Sequence, residues 1–197
     1  MDSKLITYSA VFAALYLSIT YLSSLAFGSI LRGSDAHMVR AALMAILATR
    51  LKTPGGPTLM GLLSGILLLG VPAPASFIYL PGSIASGLIY DLCLRIGNYG
   101  DVSRRKMRIL SSSLFSGLVE STIVTALLFL IGFSFSEILL RLTLGGIFPG
   151  VAGIWFYSLG KNAIMSLIGA SLAIALICDG LISQQPPKIV APASLNF

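Results

Sequence analysis

From Leu5 to Leu31 no charged residue interrupts the chain, a run longer than the roughly 20 apolar residues that carry a helix across a hydrocarbon core about 30 Å thick. Within that core a backbone must satisfy its own N–H and C=O groups, so a chain built from such runs folds as helices or as a closed barrel. These runs are continuously apolar rather than alternating, which selects helices. Composition extends the argument to the whole chain. Of 197 residues, 56% are hydrophobic and 10% charged, where a soluble domain carries about 25%, and the mean hydropathy is +0.93. The expected fold is an all-α membrane protein, a bundle of about six transmembrane helices occupying residues 1–183 as one domain. Residues 184–197, with Pro186, Pro187 and Pro192, are expected to form a disordered cytoplasmic tail. The first run exceeds the roughly 7–15 residues of a signal-peptide core and reads as a retained span.

Helix breakers place the spans. They are expected near Leu5–Phe27, Met38–Leu51, Thr58–Val71, Phe77–Leu94, Ile109–Phe133 and Asn162–Ile182. Pro54, Gly55, Gly56 and Pro57 end the second, and Pro72 and Pro74 the third. Between Ser134 and Gly160 the pattern fails at Glu137, Arg141 and Pro149, and the segment is read as an extracytoplasmic loop with a short surface helix. A crossing there would instead make seven spans.

The net charge of +6 is distributed as topology requires, not as a nucleic-acid surface requires. Lys4, Arg50, Lys52, Arg95, Arg104, Arg105, Lys106, Arg108 and Lys188 fall on one side of the spans, and only Arg32, Arg40, Arg141 and Lys161 on the other. The excess of bases marks the cytoplasmic side, so both termini are expected in the cytoplasm and the chain in the cell (cytoplasmic) membrane as a multi-pass protein. Cys93 and Cys178 lie in separate apolar stretches without CxxC or Cys/His spacing, so no metal site or disulfide framework is indicated.

The chemistry-bearing motifs that would make it an enzyme are missing from the sequence. There is no GxxxxGK[ST] phosphate loop, no GxSxG elbow and no HExxH pair, and His37 is the only histidine. An enzyme is not expected, nor a bound cofactor.

The polar residues that interrupt the apolar spans are the candidates for function. Glu120 lies about halfway along its span, where an ionisable group is costly and marks a functional site by default. It either binds a ligand from inside the bundle or fixes helix packing. Lys161 and Asn162 are read at the mouth of the last helix. Trp155 and Tyr157, the loop base Arg141, and Tyr79 at the start of the fourth span would supply aromatic faces and polar groups to the same solute pocket, although aromatics also gather at membrane interfaces without binding anything. Asp91 is expected to pair with a nearby base such as Arg95. In the first span Ala10 and Ala14, and one step back Ser9 and Ala13, make small-xxx-small pairs that let another helix approach closely.

The Ala10/Ala14 pair, glycine-rich middle helices leading to Asp91-Leu92, a basic loop after them, and a last helix beginning near Asn162 with Gly169 beyond together resemble the substrate-binding S components of energy-coupling factor (ECF) vitamin transporters. The resemblance implies a subunit that captures a vitamin or related small organic micronutrient from outside. ATP-driven uptake would be supplied by a transmembrane coupling subunit and a pair of ATPases. It assigns Ala10, Ala14 and the adjoining Ala13 to the face that meets the coupling subunit. Cobalt and nickel members of that family carry a histidine after the initiator methionine; Asp2 stands here, which argues against a metal substrate. The competing classes are a non-transporting membrane scaffold or assembly protein and a small self-sufficient carrier or channel.

Overall fold

The computed structural model describes residues 2–27, 34–70, 76–96, 99, 106–132 and 151–178. Among these it is all-α: α1 (Ser3–Phe27), α2 (Ser34–Leu51), α3 (Gly56–Leu69), α4 (Tyr79–Arg95, entered through a short 3₁₀ turn, Ser76–Ile78), α5 (Lys106–Leu130) and α6 (Val151–Cys178). Three stretches are long and apolar enough to cross a membrane by themselves: Ser3–Ser23, Lys106–Leu130 and Trp155–Ile177. The other helices are shorter or carry more charge. At 1.5 Å per residue, the 14-residue α3 is only about 21 Å long.

The helices close into a ring. Around it the order is α1, α2, α6, α5, α4, α3, and back to α1, each touching the next. Glycines set the tightest seams. A Cβ on Gly61 would run into the Ser83 carbonyl oxygen, and one on Gly87 into that of Pro57, so α3 and α4 touch backbone to backbone. At the α2–α6 seam, Gly169 lies against the backbone of Met38 in the same way. Inside the ring a core of Ala13, Tyr16, Met44, Leu47, Met60, Tyr90, Leu94, Ile109 and Ala170 is buried. Large apolar side chains such as Val11, Leu22, Leu25, Phe115, Phe156 and Leu172 point outward, as lipid-facing surface does.

Several expected boundaries move. α2 begins at Ser34 rather than Met38, which brings Asp35 and His37 into the helix. α6 begins at Val151, so residues 151–160, read from sequence as loop, are the first turns of the last helix, and Lys161 and Asn162 lie well inside it. The rest of the expected loop, 134–150 with Arg141, and the expected tail, 184–197, lie outside the described residues.

Asp91 has a different partner from the one expected. Its carboxylate accepts hydrogen bonds from the Thr58 backbone N–H (2.9 Å), the Thr58 hydroxyl and the Tyr99 hydroxyl (2.9 Å), rather than pairing with Arg95. The reason is local. α3 starts from Gly55, whose φ of 103° is left-handed and which offers no side-chain cap. The first-turn N–H groups of a helix lack internal acceptors and carry the positive end of its dipole, and Asp91 from α4 supplies the missing acceptor. Burial, with Asp91 adding to it, pushes the Tyr99 phenol far above its usual range, so it stays a donor.

Candidate functional site: a charged centre inside the helix ring

Helical spacing carries a polar stripe into the interior from three sides. On α5 Ser112, Ser113, Ser116, Glu120 and Ser121 are buried; on α4 Ser83 and Ser86; on α6 Ser158, Asn162 and Ser166. Small side chains permit the convergence. A Cβ on Gly117 would strike the Ser166 hydroxyl, and one on Gly82 would lie 3.5 Å from Glu120 Cγ.

At the centre, Arg40 of α2 and Glu120 of α5 form an ion pair through Nη1 and Oε1. Arg40 is 3% exposed and Glu120 5%, so this is an interior pair. His37, one turn before Arg40, places Nδ1 3.5 Å from the other carboxylate oxygen, Oε2. Arg40 Nη2 donates to the Tyr16 hydroxyl of α1 at 2.7 Å, and its guanidinium carbon stands 4.5 Å from the centre of the Tyr16 ring, a cation–π contact. Four elements of the ring, α1, α2, α4 and α5, thus meet at one charge pair, with the Ser86 and Ser116 hydroxyls 2.7 Å apart beside it. Moving two charges out of water is expensive, and the pairing and added hydrogen bonds offset that cost only with good geometry.

Beside the pair is a small cavity of about 10 Å³, room for about one water, lined by His37, Arg40, Ala41, Ser86, Ser113, Ser116, Gly117, Glu120 and Ser166. One of its lining side chains, Arg40, keeps a buried polar atom, Nε, with no hydrogen-bond partner among the described residues, while the Ser113 hydroxyl faces that of Tyr90. No cluster of three or more His, Cys, Asp or Glu that could hold a metal ion occurs among the described residues.

The residues expected from sequence divide. Glu120 is central, but its partner is Arg40, not a base from the start of α6. Asn162 bonds to the residue after Glu120, its Nδ2 donating to Ser121 Oγ at 2.6 Å. Lys161 is half-buried and close enough to act electrostatically on His37. The expected aromatics do not line the cavity. Trp155 packs against Phe129, ring centres 6.4 Å apart, Tyr157 is half-buried on α6, and Tyr79 is exposed. Sequence reasoning missed Arg40, His37, Tyr16 and the serines. A signal existed for each group. Arg40 is one of two charged residues in the apolar run Met38–Leu51, the other being Arg50 at its end. Ser113, Ser116 and Glu120 recur at helical spacing on one face.

The two small-residue pairs of α1 also separate. Ser9 and Ala13 turn inward: Ala13 is fully buried in the core and the Ser9 hydroxyl donates to the Gly56 carbonyl of α3 at 3.3 Å. That corrects the assignment of Ala13 to a partner face. Ala10 and Ala14 are exposed on the outer side of the same helix.

Fold and site together define a helical membrane protein with an ion-paired polar centre enclosed by six helices. The chain matches no protein family, curated protein or solved structure with which it was compared.

Proposed function

We propose that the chain is the membrane-embedded solute-binding subunit of an ECF-type importer. On this reading it captures a vitamin or related small organic micronutrient from outside, in the cytoplasmic membrane, and a coupling subunit with a pair of ATPases supplies the drive. The observation that carries the reading is the Arg40–Glu120–His37 centre buried inside the ring, where Arg40 Nε is left without an acceptor among the described residues. A membrane protein that needed only packing would do as well with apolar side chains there, because a buried ion pair replaced by well-packed apolar residues is often neutral or stabilising. Intramembrane charge is retained where it handles a solute or a proton. The reading also draws support from α1, whose Ala10 and Ala14 leave a shallow exposed strip that a second helix can approach closely.

Native mass spectrometry of the protein purified in mild detergent tests the binding half: a retained small organic molecule is expected. Protein that carries none, together with stepwise conductance after reconstitution into planar bilayers, would replace this reading with a channel. Leucine at both Ala10 and Ala14 tests the partner half. Co-purification with a coexpressed coupling subunit should be lost while the retained molecule persists.

A further inference from the structure

One end of the ring gathers bases from four helices. A Cβ on Gly55 would stand 3.8 Å from a methyl of Leu5, so the start of α1 meets the turn between α2 and α3. The Thr58 N–H bonds Asp91, and on α4 and α5 Gly82 lies against Val124 while Ser86 meets Ser116. The end of α4 and the start of α5 therefore lie at that same end. There Lys4, Arg50, Lys52, Arg95 and Lys106 are exposed. Among the described residues the acids at this end are Asp2 and Asp91. Asp2 accepts from the Lys4 backbone N–H at 3.0 Å, and Asp91 is buried, its oxygens taken by Thr58 and Tyr99.

Helix electrostatics accounts for only part of this gathering. Arg50 and Arg95 sit in the last turns of α2 and α4, where the negative end of the dipole favours a base. Lys4 and Lys106 sit in the first turns of α1 and α5, with no acid in either turn, and the positive end of the dipole disfavours them. Lys52 goes against a different preference. Its φ is 53°, and its N–H closes the last turn of α2 on the Ala48 carbonyl at 3.0 Å. Glycine is the usual residue at such a left-handed helix end, because a side chain there crowds the backbone. Bases thus stand where the fold itself prefers other residues, which points to an anion outside the protein.

The surface beside the bases says which anion. On α1, Lys4 is followed at helical spacing by Tyr8, Val11 and Leu15, all exposed, on a helix long and apolar enough to cross a membrane. Base, tyrosine and then aliphatic side chains match the order of headgroup, interface and acyl chain in a bilayer. A soluble anion or a nucleic acid has no use for the apolar part. We infer that this rim, Lys4 with Arg50 and Lys52, holds the phosphate of an anionic phospholipid whose chains run along Tyr8, Val11 and Leu15. The site is independent of any solute bound within the ring.

Full-length protein in mild detergent, stripped of lipid, is titrated with dioleoyl phosphatidylglycerol or dioleoyl phosphatidylcholine, and bound lipid is counted by native mass spectrometry. The two share their chains and differ in net charge. Phosphatidylglycerol should bind more tightly by at least about fivefold, and each base removed should weaken it by about fivefold, the equivalent of roughly 1 kcal/mol per base near an anionic surface. Lys52→Gly separates binding from folding. It removes a base and relieves the left-handed backbone, so its lipid-free melt should be no lower than that of the wild type while phosphatidylglycerol binding falls. Lys4→Gln added to Lys52→Gly should bring the loss to about 25-fold. Equal binding of the two lipids, or undiminished phosphatidylglycerol binding in the double variant, would overturn the site. So would displacement of the lipid by millimolar inorganic phosphate at constant ionic strength, the mark of a site for free anions.

Discussion

Replacing Glu120 by Gln preserves shape and one acceptor oxygen but leaves Arg40 charged at 3% exposure with no counter-ion, only neutral partners such as that oxygen and Tyr16. Breaking a buried pair in this way costs about 3–5 kcal/mol, because the surviving charge stays buried without compensation. The retained acceptor places Glu120→Gln near the lower end, about 3 kcal/mol. In a chain of this length each kcal/mol moves the melting temperature by roughly 2–4 °C, so a fall of about 6–12 °C is expected. Arg40→Met removes the other partner and leaves the carboxylate with His37 at 3.5 Å and the Ser86 hydroxyl, a cost of about 3–5 kcal/mol. The informative variant is the double one. Arg40→Met with Glu120→Leu removes both charges and keeps most of the volume, so it should melt within about 1 kcal/mol of the wild type, far from the sum of the single effects. The assay is a thermal melt in one detergent, read by intrinsic fluorescence and by loss of the monodisperse peak. Single variants that melt like the wild type, or a double variant as unstable as the two singles added, would refute an interior pair whose cost lies in desolvation.

At the α2–α6 seam, Gly169→Ala places a methyl group against the Met38 backbone and should destabilise by about 1–3 kcal/mol, whereas Gly160→Ala, which meets nothing within 4 Å, should be neutral in the same melt. Asp91→Asn weakens both the α3 cap and the Tyr99 contact and should cost about 1–3 kcal/mol, with Tyr99→Phe costing about 0.5–1.5 kcal/mol; equal melts for both variants and the wild type would refute the role of this carboxylate. Orientation is tested by single cysteines at Ser103 and Ser136 in a background lacking Cys93 and Cys178: an impermeant thiol reagent added to intact cells should label only Ser136→Cys.

Much of this architecture can be read from hydropathy because lipid enforces a simple rule: a span must be helical and apolar, and α1 obeys it beyond Lys4, as α5 does apart from its basic first turn and the polar stripe that holds Glu120. The reading failed where polar residues sit inside a span rather than at its end. Asp35 and His37 suggested a loop running into α2, yet the helix extends through both, and His37 finds Glu120 across the ring rather than water beside it. The start of α6 was lost for the opposite reason, since Trp155, Tyr157 and Lys161 look like an interface belt whether they lie on a loop or a helix. Glu120 was found because one carboxylate in a clean apolar run is conspicuous. Its partner was not, because hydropathy places each span alone and the pairing of α2 with α5 is a property of the ring.

That ring fixes an order of events during synthesis. The helix closing it, α6, is the last of the six to leave the ribosome, and its neighbours are α5 and the much earlier α2. Until α6 arrives, the part of α5 around Gly117 and Ser121 and the backbone seam at Met38 lack the neighbour that covers them in the ring. α2, which carries Asp35, Arg40 and Arg50, is a poor candidate for entering lipid alone at the roughly 2.5–3.5 kcal/mol a central charge costs on insertion. It becomes a stable span only once Glu120 has been delivered by α5. Biogenesis therefore requires that an early, reluctant helix be held at the insertion machinery until a later one neutralises it, and a chain truncated before α5 should fail at α2.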